Sequence, residues 1–229
     1  MPTHVRVAII GSGFAGLGMA IQLARHGIDD FVIVERGSEV GGTWRDNTYP
    51  GAACDIRSDL YSFSFAPRHD WKHRYGRQAE ILDYLRSTAD RFGIRPRIRF
   101  DTELMEATWD AVAAFWRLHT STGELTASVL VSAAGPLIDP VWPQIPGLEQ
   151  FEGLRFHSSR WRHDLDLADL RVAVIGTGRS AWTVGSTSRA ANGLQPIRTP
   201  SGTPTTTASR KPWPTRCAEN STLDSHVPL

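Results

Sequence analysis

Short apolar runs rich in β-branched residues alternate with amphipathic stretches from Val5 to about Ala181. Val5-Arg6-Val7-Ala8-Ile9-Ile10 suits a buried parallel strand, because such a strand is covered on both faces and needs no polar side. Leu17, Ala20, Ile21 and Ala24 then recur at helical spacing, with Gly27 placed to stop the helix. Phe31-Val32-Ile33-Val34 predicts a second strand that ends at Glu35. An amphipathic helix opens over Arg77 to Leu85, runs to about Phe92 and stops at Gly93. Ile98-Arg99-Phe100, Leu104 to Trp109, Phe115 to Thr120 and Leu125 to Val131 read as strands, and the Thr122-Gly123 turn makes two of them a hairpin. Arg74, Arg77, Arg95, Arg97 and Arg99 are expected to be solvated surface charges. The alternation of strands and helices predicts an α/β fold.

The texture changes at Trp182. Thr, Ser, Pro and Gly make up half of the residues from there to Leu229, and large aliphatic side chains are sparse. Such a segment buries too little apolar area to offset its ordering entropy, so a disordered tail is expected over 182–229. With 25 basic and 24 acidic side chains the net charge is +1, leaving no basic excess for nucleic acid. Two cysteines do not build a disulfide framework. The apolar runs fall well short of the roughly 18 residues that span a bilayer. There is no basic stretch followed by an apolar leader either, so a cytoplasmic protein without a membrane span is expected.

The first chemistry-bearing motif is Gly11-Ser12-Gly13-Phe14-Ala15-Gly16, between the first strand and the first helix. Gly11 permits the tight turn. Gly13 lets backbone approach a pyrophosphate without a Cβ, and Gly16 lets the helix pack close to the strand. The helix N-terminus offers free N–H groups and a positive dipole end to phosphates. Glu35, at the end of the second strand, can accept hydrogen bonds from a ribose diol, which suits FAD or NAD rather than NADP. No metal site is expected.

Gly41-Gly42-Thr43-Trp44 follows, then Asn47-Thr48-Tyr49-Pro50-Gly51-Ala52-Ala53-Cys54-Asp55, and then Tyr61-Ser62-Phe63-Ser64-Phe65. The second glycine pair lets another backbone segment approach the same cofactor, though composition does not say which. Together these residues resemble the class B flavoprotein monooxygenases, and among them the Baeyer–Villiger monooxygenases. The resemblance implies a Rossmann-like FAD-binding domain over 1–150, in which a small antiparallel element lies beside a parallel sheet. It places Gly11, Gly13, Phe14, Ala15, Gly16, Glu35, Thr43 and Trp44 at FAD. Asp55 then sits beside the flavin ring where the nicotinamide of NADPH docks, as the catalytic candidate. Tyr61 meets the flavin or its chain, and backbone at Leu104 touches the adenine end. Cys54 is expected to pack as a small buried residue without chemistry.

Val129 to Gly135 resembles the segment by which the chain leaves the family's FAD domain, with Ala134 in place of a threonine. Phe151-Glu152-Gly153-Leu154-Arg155-Phe156-His157-Ser158-Ser159-Arg160-Trp161 fits the Baeyer–Villiger fingerprint FxGxxxHxxxW, while Arg162 departs from its usual continuation. His157 reads as a linker residue rather than a general base. Arg171 to Ile175 is a further strand, and Gly176-Thr177-Gly178-Arg179-Ser180-Ala181 fits the GxGxxA cradle of the family's NADPH domain. Residues 151–181 thus form the linker and the start of a second, incomplete Rossmann-like domain. Trp182 to Ser188 is poor helix material, so no helix is expected there. The change of composition at 179–182 is what a reading-frame slip or a shortened chain would produce.

The resemblance covers residues 4–181. It implies an FAD- and NADPH-dependent monooxygenase that converts a ketone to an ester or lactone with O2, through a C4a-peroxyflavin. The partners would then be a small ketone or heteroatom compound and O2. An N- or S-oxygenating flavin monooxygenase, or a non-catalytic FAD-binding fragment, are the alternatives. A disulfide-type flavin reductase needs a redox cysteine pair, and Cys54 and Cys217 lie far apart in sequence.

Overall fold

Alternation along the second strand explains the layering. In the computed structural model, Phe31 and Ile33 face one apolar cluster, with Ile9, Leu17, Ile21, Tyr84 and Leu85. Val32 and Val34 face another, with Ala8, Leu118, Leu125 and Ala127. A strand buried on both sides has no face to spare for polar groups, and all four residues of this strand are buried. The structure describes residues 3–137, 139–167, 170–176, 178, 180–181, 183–184, 197–198 and 204–205. Contacts divide the chain into two compact units, Met1–Asp166 and Leu167–Leu229.

The first unit follows the expected order. Strand β1 (Thr3–Ile10) leads into α1 (Phe14–Arg25) and β2 (Phe31–Val34). A four-residue helix α2 (Thr43–Asp46) precedes the small pair β3 (Ala53–Arg57) and β4 (Tyr75–Arg77). Helix α3 (Gln78–Arg91) ends at Gly93, whose φ of +63° is the left-handed conformation that stops a helix. β5 (Ile98–Arg99), β6 (Leu104–Asp110), β7 (Phe115–Thr120) and β8 (Gly123–Ser132) complete the unit.

One six-stranded sheet has the order β5-β2-β1-β8-β7-β6. β5, β2, β1 and β8 run parallel, whereas β7 and β6 are antiparallel to their neighbours. The expected antiparallel element lies at the β8 side of the parallel strands. It continues that sheet, because β8 joins β1 through the register Ile10↔Ser132 while also closing the Thr122-Gly123 hairpin with β7. This parallel core sets the C-terminal ends of β1, β2 and β8 side by side, which is where α/β sheets bind ligands.

The arginines divide. Arg74, Arg77 and Arg99 are exposed as expected. Arg95 instead bonds Glu39 at 2.7 Å and pairs with Asp90, and Arg97 pairs with Asp29 at 2.7 Å and covers the Phe31 ring at 4.7 Å. Glu39 and Asp29 lie far from these arginines in sequence, so helical and strand periodicity gave no sign of those two pairs.

In the second unit Ala173 forms a β-bridge, and Ser180, Ala181, Thr183 and Val184 are helical, with Val184 buried. This corrects the expectation that no helix follows the second glycine cradle: weak intrinsic propensity is overridden where the chain buries a side chain such as Val184. A short antiparallel ladder joins β9 (Ile197–Arg198) and β10 (Pro204–Thr205). The rest of the expected tail lies outside the described residues. No helix among the described residues is long and apolar enough to cross a membrane.

Candidate dinucleotide site

The site begins where β1 gives way to α1. Gly11 has φ +100°, and a Cβ there would lie 2.7 Å from the Ala133 carbonyl oxygen. The Gly11 N–H donates to Val34 O at 2.8 Å and Ala133 N to Ile10 O at 2.9 Å, so the turn is pinned between β2 and the end of β8. At Gly16 a Cβ would lie 1.8 Å from the Gly11 carbonyl oxygen, so the helix touches the turn with no room for a methyl group. Among the described residues no side chain caps α1, whose N-cap is Gly13, and its first turn holds no acidic residue. That leaves N–H groups and a positive dipole end for a phosphate.

The second glycine pair packs against the first. Gly41 N donates to Ser12 O at 3.0 Å. A Cβ on Gly42 would lie 3.4 Å from the Cα of Gly13, and both Gly41 and Gly42 have positive φ. Two bare backbone segments thus meet along one crevice. Part of the need for glycine at Gly42 is this mutual approach, in addition to any approach to a cofactor.

Glu35, just beyond β2, is nearly fully engaged. Ser12 donates to its Oε2 through both N (2.8 Å) and Oγ (2.7 Å). Its Oε1 accepts from Gly37 N and Arg45 Nη1, each at 2.7 Å. Burial alone would raise its pKa; the Ser12, Gly37 and Arg45 donors outweigh burial and hold it below the usual carboxylate value. A carboxylate has about four lone-pair positions, and four protein donors hold them. Any further donor to this carboxylate would have to share or take over a position held by a protein group.

Arg45 escaped the sequence reading. Its place is visible in the fold, where a Cβ on Gly37 would lie 2.2 Å from Arg45 Nη1.

The aromatic end is a cluster on several elements. Trp44 Nε1 donates to Tyr61 Oη at 3.1 Å, and the two rings meet edge-on at 5.7 Å. Phe14 meets Tyr61 edge-on at 5.0 Å and Phe63 at 5.3 Å. Tyr84 anchors the loop from beneath: its hydroxyl accepts from Phe63 N and donates to Ala66 O, both at 2.8 Å. Burial raises the pKa of the Tyr61 hydroxyl and of the Cys54 thiol, which favours their protonated forms. Asp55 follows Cys54 on β3 and is exposed. Thr43 opens α2, half-buried.

Leu104 starts β6, two residues beyond Thr102, whose N–H donates to the Glu35 carbonyl at 2.9 Å. His157 is a local capping residue: its Nδ1 accepts from Ser159 N at 3.2 Å, and Phe156 meets Trp161 edge-on at 5.3 Å. Arg162 pairs with Asp164 at 2.5 Å, and that guanidinium brings the Asp164 carboxyl down to about 2.

In the second unit Gly176 has φ +138° and would carry a Cβ 3.3 Å from the Ala181 side chain; Gly178 faces open space and Ser180 is helical. Thr177 and Arg179 lie outside the described residues. No group of His, Cys, Asp and Glu side chains able to hold a metal occurs among the described residues.

The chain is 58% identical over 178 residues to a Baeyer-Villiger monooxygenase of Streptomyces coelicolor, covering 78% of this chain and 34% of that protein. It is 42% identical over 191 residues to an FAD-binding monooxygenase of Aspergillus niger, covering 78% and 31%. The structure superposes on a cyclohexanone monooxygenase from Rhodococcus sp. Phi1 bound to NADP+ with TM-score 0.77 and 36% identity, over 87% of this chain and 39% of that one. The chain spans about a third of the length of the curated relatives it matches. The model of the pyridine nucleotide-disulphide oxidoreductases matches residues 8–188, spanning both glycine cradles, and the chain belongs to that family.

Proposed function

We propose that this chain supplies the FAD-binding part of an FAD- and NADPH-dependent monooxygenase of the Baeyer–Villiger type, acting on a small ketone or heteroatom compound with O2, in the cytoplasm. One observation carries the reading. Two glycine segments, Gly11–Gly16 and Gly41–Gly42, meet at the uncapped start of α1, with the Glu35 carboxylate at one side.

The residues present fit a flavin dinucleotide. A side chain at Gly11 or Gly16 would collide with backbone, and the free N–H groups of the first turn suit a diphosphate. Gly13, Phe14, Ala15 and Gly16 would hold the diphosphate, Glu35 the ribose, and backbone at Leu104 the adenine end. Thr43, Trp44 and Tyr61 would line the flavin, which when bound supplies the redox and oxygen-activating chemistry. Asp55, exposed on β3, would orient the nicotinamide carboxamide. Gly176, Thr177, Gly178, Arg179 and Ser180 are proposed as the start of the NADPH cradle. Apolar aromatic walls from Phe14, Trp44 and Tyr61 would exclude water from the reacting ring.

Titration of the purified chain with FAD, followed by tryptophan fluorescence and the visible flavin spectrum, tests the reading. Saturable binding with a perturbed flavin spectrum is expected. Absence of binding at high micromolar FAD refutes it.

A further inference from the structure

Arg45 belongs to neither glycine motif nor aromatic cluster, yet it joins them. Nη1 donates to Glu35 Oε1 and to the Glu39 carbonyl oxygen, each at 2.7 Å. Its Nε and Nη2 fork onto Asp46 at 2.7 and 3.0 Å. Four of the five guanidinium N–H groups are therefore committed. The guanidinium fills the space a Gly37 side chain would need, and Arg45 rides on α2 directly after Trp44.

We infer that Arg45 is a positioning residue for dinucleotide recognition: it fixes the Glu35 carboxylate toward the ribose diol and ties that carboxylate to the helix carrying Thr43 and Trp44. The inference rests on the dinucleotide reading above.

The opposite role, a plug that must leave before ribose enters, conflicts with the contacts. The Arg45 side chain is 16% exposed, and its withdrawal would strip both Glu35 (5%) and Asp46 (16%) of their counter-charge. Burying two such carboxylates unpaired is strongly unfavourable. The group that can yield a lone pair at Glu35 is the Ser12 hydroxyl, which is a free rotor, whereas the Ser12 and Gly37 N–H groups are fixed backbone donors.

The test separates positioning from folding by a ligand comparison. ADP and 2′,3′-dideoxy-ADP, which lacks the diol, compete with FAD for the wild-type chain and for Arg45→Gln and Arg45→Lys. One charge-assisted hydrogen bond is worth roughly tenfold to 100-fold, and wild type should prefer ADP by about that factor. In Arg45→Gln the preference should fall to within about threefold, because Oε1 loses its charged donor and the carboxylate is held by Ser12 and the Gly37 N–H alone. Arg45→Lys keeps the charge but not the fork, and should retain an intermediate preference.

An Arg45→Gln chain that weakens for both ligands alike, with the diol preference intact, overturns the inference and leaves Arg45 a purely structural residue. Tighter ADP binding by Arg45→Gln also overturns it, in favour of a plug. If wild type binds FAD but shows no diol preference, the inference fails and the FAD reading stands. If wild type binds neither FAD nor ADP, both fail. Should Arg45→Gln not fold, the Arg45→Lys ratio decides: a preference equal to wild type overturns the inference.

Discussion

Replacing Gly16 by alanine measures how closely α1 is pressed onto the β1 turn. In an ordinary helix interior this change stabilises by about 1 kcal/mol, through reduced backbone entropy and better helix propensity. Here the new Cβ would stand 1.8 Å from the Gly11 carbonyl oxygen and 2.9 Å from its carbon. Backbone cannot swing aside as a side chain does, so the helix must move by well over an ångström or the turn must deform. Overpacking of this kind costs roughly 1–3 kcal/mol, and a rigid backbone neighbour puts it at the upper end. Offset by the helical gain, the net loss is about 2 kcal/mol, or about 4–8 °C in Tm for a chain of this size. Gly18→Ala is the internal comparison, since its Cβ meets only the Phe63 ring edge, at 2.9 Å. Circular dichroism melts at 222 nm and FAD titrations on both variants give the answer. Equal or higher stability for Gly16→Ala, with unchanged FAD affinity, would refute the close-packing argument and with it the cradle.

Tyr84→Phe leaves the half-buried Phe63 N–H and the buried Ala66 C=O without their partner and should cost about 1–2 kcal/mol in urea unfolding. Asp55→Ala, on an exposed strand position, should change stability by less than about 0.5 kcal/mol. In a preparation that is reduced by NADPH, the same variant should slow flavin bleaching, read by stopped-flow absorbance. Glu35 has a native pKa held below its ordinary 4.5, so its contribution is fully present above that pH and lost as the pH falls through the native value. The urea midpoint should therefore fall as the pH drops below about 4.5, and less steeply in Glu35→Gln. At neutral pH that variant should already be weaker by about 1–3 kcal/mol, because Arg45 keeps Asp46 but loses its charge-assisted bond to Glu35.

The β1–α1–β2 unit was legible because its determinants are local. Strand apolarity, the glycine spacing and Glu35 at the end of β2 all lie within one short stretch of sequence. The sequence also named Phe14, Trp44 and Tyr61, and the fold brings these three rings together. What sequence alone could not supply was the set of contacts between segments remote in the chain. The antiparallel strands extend the main sheet only because β8 pairs with β1 across more than a hundred residues. Arg95 and Arg97 found carboxylates on other elements. The helical residues after the second cradle follow from burial at Val184 rather than from propensity.

Glu35 shows the division most clearly. The sequence determined that a carboxylate stands at the end of β2, since strand length and glycine spacing are one-dimensional quantities. Only tertiary structure decided what that carboxylate faces, because hydrogen-bond partners are chosen by proximity in space. Burial makes each unmet lone pair costly, and Ser12, Gly37 and Arg45 are the donors the fold happens to place within reach.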